Sequence, residues 1–131
     1  MGIARTSLVS AVLVLLARAT PAPAFQATPD QQLRFFATCA GRLSAQMEHQ
    51  WMFDGAASEI TMAHRDSVID ILDALMPPER GRDVLAMRIE AKMAHAALLT
   101  RATFNDDTED AAWAKATAVR LAAECEALLL G

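Results

Sequence analysis

Residues 28–51, TPDQQLRFFATCAGRLSAQMEHQW, carry the pattern that decides the fold. Thr28 can cap a helix, Pro29 suits the first helical position, and Gln31 can complete a capping box with Thr28. Apolar residues then follow at intervals of three or four, which predicts an amphipathic helix with one buried face. The residues of this face are Leu33, Phe36, Ala37, Ala40, Leu43, Met47 and Trp51.

The same periodicity occurs three more times, and no stretch of the chain predicts a strand. Four helices are expected, over about residues 29–54, 58–76, 78–104 and 108–130. The chain is rich in Ala, Leu, Met, Glu and Arg and lacks Tyr, a composition that favours helices. Because the connections are short, neighbouring helices must run antiparallel. The predicted fold class is therefore all-α, an up-down-up-down four-helix bundle.

The later helices have their own end signals and predicted buried stripes. Asp54-Gly55 is expected to end the first helix in a left-handed turn, and Ser58 to cap the second. The stripe of the second helix is Ile60, His64, Val68, Ile71, Leu72 and Leu75. The third helix has Leu85, Ile89, Met93, Ala96 and Thr100, and the fourth has Ala111, Ala114, Ala118, Leu121, Cys125 and Leu128.

The chain contains two cysteines, Cys39 in the first predicted helix and Cys125 in the fourth. These helices are neighbours in an up-down-up-down bundle, and at 1.5 Å per residue both cysteines fall about 10–15 Å from the same end. An even pair of cysteines in a small exported domain predicts one disulfide, here between helices one and four. Two unpaired buried thiols are the alternative.

The first 24 residues predict that the protein is exported. Arg5 precedes an apolar run over residues 8–17, and Ala22-Pro23-Ala24 offers the small side chains that a signal peptidase requires. The run is shorter than the roughly 20 residues that span a bilayer, so no stable membrane insertion is expected after cleavage. Residues 25–131 would then form a single helical domain. Its composition and layout are similar to those of small exported proteins of Gram-negative bacteria, which implies a secreted, periplasmic location.

Charge and motifs exclude several functional classes. Without Arg5 and Arg18, the chain retains 10 of its 12 Lys and Arg residues against 16 Asp and Glu residues, a net charge of −6. Nucleic acids and anionic lipid surfaces require basic patches, so neither is an expected partner. The sequence also lacks Cys-x-x-Cys-His, Glu-x-x-His, His-Glu-x-x-His and Gly-x-Ser-x-Gly motifs and a phosphate-binding glycine loop. The protein is therefore not expected to be an enzyme.

Each of the three histidines has a methionine two positions before it, in Met47-Glu48-His49, Met62-Ala63-His64 and Met93-Ala94-His95. Thioether and imidazole groups bind copper, and sulfur favours Cu(I). Residues two apart on a helix point about 200° apart, so a site would need ligands from several helices. A periplasmic copper-binding protein would use His64, Met47 and Met93. Alternatively, there is no cofactor, the methionines fill the core, and His64 is a hydrogen-bonded core histidine.

Several large apolar residues lie outside the predicted stripes and suggest a partner-binding surface. The candidates are Met52 and Phe53, which lie in the apolar stretch at residues 51–53, together with Phe35 and Met62. Methionine-rich surfaces accept varied partners. We therefore expect a non-enzymatic interaction or ligand-binding module whose partner is a protein, a peptide or a small apolar ligand. A homodimer face is an alternative use of these residues, and wider buried helix faces would remove the need for any partner.

Overall fold

The computed structural model describes residues 27–129, which form an all-α, up-down four-helix bundle. The helices are α1 (Pro29–Phe53), α2 (Gly55–Leu75), α3 (Gly81–Phe104) and α4 (Thr108–Glu126), and a short 3₁₀ turn at Pro78–Arg80 precedes α3. The predicted fold class is confirmed. The predicted signal peptide, residues 1–24, lies outside the described residues. Between residues 27 and 129, no helix is both long enough and apolar enough to cross a membrane.

Side-chain caps set the bounds of α1 and α2. The capping box at Thr28 is confirmed, since the Gln31 N–H donates to Thr28 Oγ1 at 3.2 Å and the Thr28 N–H donates to Gln31 Oε1 at 2.8 Å. The expected left-handed stop at Asp54-Gly55 is wrong, because no glycine in the described residues has a positive φ. Asp54 instead accepts a backbone hydrogen bond of 3.0 Å from the first turn of α2. Helix α2 therefore starts at Gly55, ahead of Ser58.

Helix α1 is the centre of the bundle. It packs most extensively against α3 and α2, and α4 packs against α3 and α1. Contacts at both ends show that α1 and α3 run parallel: Asp30 pairs with Arg80 at 3.0 Å, and the rings of Phe53 and Phe104 lie 6.4 Å apart. Because α1 has neighbours on several sides, its buried residues surround much of the helix: Leu33, Ala37, Cys39, Ala40, Gly41, Leu43, Ala45 and Met47.

A glycine brings the backbones of α1 and α3 into close contact. A Cβ added at Gly41 would lie 3.0 Å from the Cβ of Ala91 and 2.9 Å from the backbone nitrogen of Lys92. It would come closer still to the carbonyl oxygen of Arg88. Two of these three neighbours are backbone atoms, which cannot rotate away as a flexible side chain can. Glycine is therefore required where the two helices meet.

The predicted buried face of α3 is wrong. Leu85, Ile89 and Met93 are 55%, 53% and 65% exposed. Large side chains would hold α3 away from Gly41, so the face that carries Ala91 turns toward α1 instead. The buried residues of α3 are Val84, His95 and Leu99. Some residues of the other predicted stripes are also exposed, near helix ends where fewer helices surround them: Trp51, Ile60, Leu75 and Leu128.

Cys39 and Cys125 form the predicted disulfide, which links α1 to α4 across 86 positions of sequence. Their Cα atoms lie 5.4 Å apart, and both residues belong to the main core cluster together with Leu43 and Leu72. Apart from Cys125, the buried residues of α4 are the alanines Ala114, Ala118 and Ala122. Alanine buries little apolar area. The disulfide therefore attaches a helix that side-chain packing alone holds weakly.

Candidate functional site

Four aromatic side chains are exposed at one end of the bundle, which we call the aromatic end: Trp51, Phe53, Phe104 and Trp113. Their exposed fractions are 58%, 59%, 66% and 55%. Phe53 and Phe104 are the last residues of α1 and α3, and Trp113 lies in the second turn of α4. Because α1 and α3 end where α4 begins, the topology collects these side chains in one region.

Ring contacts order part of the aromatic end. The rings of Phe53 and Phe104 lie 6.4 Å apart and are tilted by 50°. The His49 ring lies 4.8 Å from that of Phe53, and its Nε2 atom is 3.3 Å from Thr103 Oγ1. Aromatic rings attract one another at these separations. The two phenyl rings are thus positioned by neighbours on α1 and α3 while they stay exposed.

Arg101 shows how a cation can be held at this end. Its guanidinium lies over the Trp113 ring, 5.1 Å from the ring centre, and pairs with both carboxylate oxygens of Asp110. Asn105 Nδ2 also donates to Asp110, at 2.6 Å. The hydrogen bond from Arg101, with that from Asn105 in a smaller part, holds the pKa of Asp110 below its ordinary value. An indole and a carboxylate together make a favourable site for a guanidinium.

The aromatic end carries negative charge. Four exposed acidic residues lie within four positions of its aromatic residues along the chain: Asp54, Asp106, Asp107 and Glu109. Asp54 and Asp107 also cap α2 and α4. Arg101 is already paired with Asp110, and the exposed Lys115 offsets only one of the four acidic charges. The surface is therefore apolar with an acidic border.

The residues predicted to form a partner surface fall into two groups. Met52 and Phe53 lie at the aromatic end and are 65% and 59% exposed. Phe35 and Met62 are half-buried, and Phe35 packs edge-on against Phe36 at 5.5 Å and against the main core cluster. Sequence reasoning missed Phe104 as a residue of the partner surface, because the spacing of apolar residues within α3 does not mark it. Only the parallel packing of α1 and α3 places its ring beside that of Phe53.

The three predicted metal ligands have different surroundings. Met47 is buried, and its sulfur lies 3.6 Å from Nη1 of Arg65, a cation that disfavours a metal ion there. His64 Nδ1 is 3.4 Å from a carboxylate oxygen of Glu126. Met93 is 65% exposed on α3. Within residues 27–129, no three His, Cys, Asp or Glu side chains are grouped so that they could hold a metal ion. The copper hypothesis thus rests on the sequence alone.

The buried histidine of the core is His95, whereas His64, the expected core histidine, is half-buried. His95 is 1% exposed, and its Nε2 lies 3.1 Å from Gln46 Oε1. Burial lowers the pKa of His95 to about 4, with smaller effects from Arg42 and His49, so the ring is neutral at neutral pH. Nε2–H therefore donates to Gln46, and Nδ1 is a bare acceptor with no partner among the described residues.

Comparisons with protein-family models, with curated proteins and with solved structures find no match to this chain. Four-helix bundles carry many unrelated activities, so the fold does not select a function. The function must therefore be inferred from the residues of the aromatic end and from the cavities beside it.

Proposed function

We propose that this protein is a non-enzymatic interaction module that binds a protein or peptide through the aromatic end. The observation that carries the proposal is the exposure of four aromatic side chains and Met52 at one end of a small bundle. Aromatic residues and methionine are enriched in interfaces, and large exposed apolar patches mark binding surfaces. The acidic border favours a partner that presents basic residues around an apolar centre.

The exposed area is large enough for specific binding. An aromatic side chain has about 150–250 Å² of surface, so covering the exposed parts of the four would remove about 400–500 Å² from water. At about 25 cal/mol per Å², this burial is worth about 10 kcal/mol before the costs of association. Lost translational and rotational freedom offsets much of that gain. The expected result is a partner of moderate affinity.

We infer that the partner is met in the periplasm. The disulfide between Cys39 and Cys125 is of a kind that persists in oxidising compartments. The predicted signal peptide over residues 1–24 would direct the chain to such a compartment. The search for a partner should therefore begin with exported proteins.

Site-specific photo-crosslinking in cells tests the proposal. Met52 on α1 and Met93 on α3 form a matched pair, because both are methionines with 65% of their surface exposed. A photoreactive residue at position 52 should form a discrete adduct with one partner, and the same residue at position 93 should not. Phe104→Ser should remove the adduct, whereas Ile89→Ser, which changes a comparably exposed residue of α3, should leave it.

Equal crosslinking from positions 52 and 93, or an adduct that survives Phe104→Ser, would contradict the proposal. An adduct with twice the mass of the chain would identify the partner as a second copy of the protein. Each substituted residue is exposed, so a folded bundle is expected for all variants and can be checked by its helical circular dichroism.

A further inference from the structure

An apolar groove of about 1000 Å³ lies at the end of the bundle opposite the aromatic end, between the start of α1, the end of α2 and the turn after α4. Two glutamines of α1 line it, and its other described lining residues are apolar: Ala27, Phe35, Phe36, Ile71, Leu75 and Leu128. No charged side chain is among them. An apolar surface of this kind is a place where another group is expected to bind.

Hydrogen bonds fix the path by which the chain enters α1 beside this groove. The capping box joins Thr28 to Gln31, and the backbone of Thr28 is extended, with φ −64° and ψ 159°. Gln32 Nε2 also donates to the carbonyl oxygen of Ala27 at 3.5 Å. Ala27 is half-buried and lines the groove itself. The residues that precede Ala27 are therefore attached directly to the groove wall.

We propose that the side chain of Phe25, the first residue after the predicted cleavage site, fills this groove in the exported protein. Residues 25 and 26 lie outside the described residues. Phe25 is two positions before Ala27, and a chain spans at most about 3.6 Å per residue, so its Cα lies within about 7 Å of that of Ala27. Its ring would meet the rings of Phe35 and Phe36, which pack edge-on at 5.5 Å.

Covalent attachment favours Phe25 over a dissolved ligand as the occupant. A group tethered by so short a segment has an effective concentration in the millimolar range, which a dissolved apolar molecule rarely reaches. Phe25 is also the one large apolar residue between the predicted cleavage site and Thr28, since Gln26 and Ala27 are the others. An uncharged groove suits a phenyl ring, whereas a carboxylate or an ammonium would lose its water without gaining a partner of opposite charge.

This proposal rests on the predicted cleavage after Ala24 and is independent of binding at the aromatic end. Cleavage shortens the chain ahead of Ala27 to two residues, so it produces the end that the groove receives. A filled groove would leave no room for an external partner at this end of the bundle. The aromatic end would then be the surface that stays open.

NMR spectroscopy of the protein purified after export tests the proposal. Intact mass first identifies the start of the chain, and a first residue other than Phe25 would overturn the proposal without affecting crosslinking at the aromatic end. Nuclear Overhauser contacts are then expected from the Phe25 ring to the methyl groups of Ile71, Leu75 and Leu128. Their absence would overturn the proposal. In a mixture of isotope-labelled and unlabelled chains, contacts between chains would also overturn it, because they would identify a second copy as the occupant.

Substitutions at position 25 provide an independent measurement. Phe25→Ser should raise the rate of amide hydrogen exchange at Leu75 about threefold or more, because the last turn of α2 loses a packed side chain. Phe25→Leu keeps an apolar side chain and should keep exchange slow. Phe104→Ser, at the opposite end, is the control and should change neither the exchange nor the Phe25 contacts. Equal exchange in Phe25→Ser and the unaltered protein would overturn the proposal. Position 25 precedes α1, so all variants are expected to fold, and intact mass checks that each begins at position 25.

Discussion

Replacing Gly41 by alanine sets two physical effects against each other. In a helix interior, alanine is favoured over glycine by about 1 kcal/mol. At this position the new Cβ would lie 2.9 Å from the backbone nitrogen of Lys92 and closer to the carbonyl oxygen of Arg88. Helix α3 would have to move away from α1. Overpacking costs about 1–3 kcal/mol, and contact with rigid backbone puts the cost near the upper value. The expected net loss in the free energy of unfolding is about 2 kcal/mol.

Gly81→Ala is the matched control for this substitution. Gly81 has helical dihedral angles, φ −56° and ψ −41°, and nothing lies within 4 Å of an added Cβ. Urea unfolding of the oxidised proteins, followed by far-ultraviolet circular dichroism, measures both variants. The control should match the unaltered protein or exceed its stability by up to about 1 kcal/mol. If Gly41→Ala were as stable as the unaltered protein, the close contact between α1 and α3 would be refuted.

Replacing both Cys39 and Cys125 by alanine should lower the free energy of unfolding by about 4–5 kcal/mol, because the disulfide closes a loop spanning 86 positions. Urea unfolding with and without a reductant measures this loss, and a loss below about 1 kcal/mol would contradict the expectation. The lowered pKa of His95, about 4 against 6.5 for an ordinary histidine, makes stability depend on pH. Between these values the unfolded chain binds a proton that the folded chain excludes, so stability should fall as the pH falls, by up to about 3 kcal/mol. His95→Gln should flatten that pH dependence, and equal slopes in the variant and the unaltered protein would show that another group causes it.

The helix caps, most of the buried face of α1 and the disulfide could be predicted from the sequence. The capping box at Thr28 and the buried positions Leu33 and Leu43 require only the three- and four-residue spacings of one helix. The disulfide was also predictable, because short connections set the topology and the rise per residue placed both cysteines at a similar distance from one end. For the capping box and the buried positions, one helix or one turn contains the whole reason, and for the disulfide the order of the helices and their rise per residue are enough.

The orientation of α3 could not be predicted in this way, because it depends on a contact between two helices. By size alone, Leu85, Ile89 and Met93 make the better buried stripe. Gly41 on α1 reverses that preference, since it allows a close approach that only the Ala91 face of α3 can make. Periodicity within α3 contains no information about a glycine some fifty positions earlier in the chain.

The same contact determines which side chains of α3 face α1. Because α3 turns its Ala91 face toward α1, His95 meets Gln46, and Leu99 and Thr103 line the cavity beside Gln50. With the predicted orientation, Ala96 and Thr100 would face α1, and His95 would lie to one side of the core. Phe104, by contrast, stays near Phe53 through the parallel direction of the two helices. Gly41→Ala should therefore shift the amide NMR signals of His95 and Leu99, which α3 buries, while it weakens crosslinking from position 52 little, whereas Gly81→Ala should change neither. The core around His95 and the aromatic end thus depend to different extents on the rotation of α3.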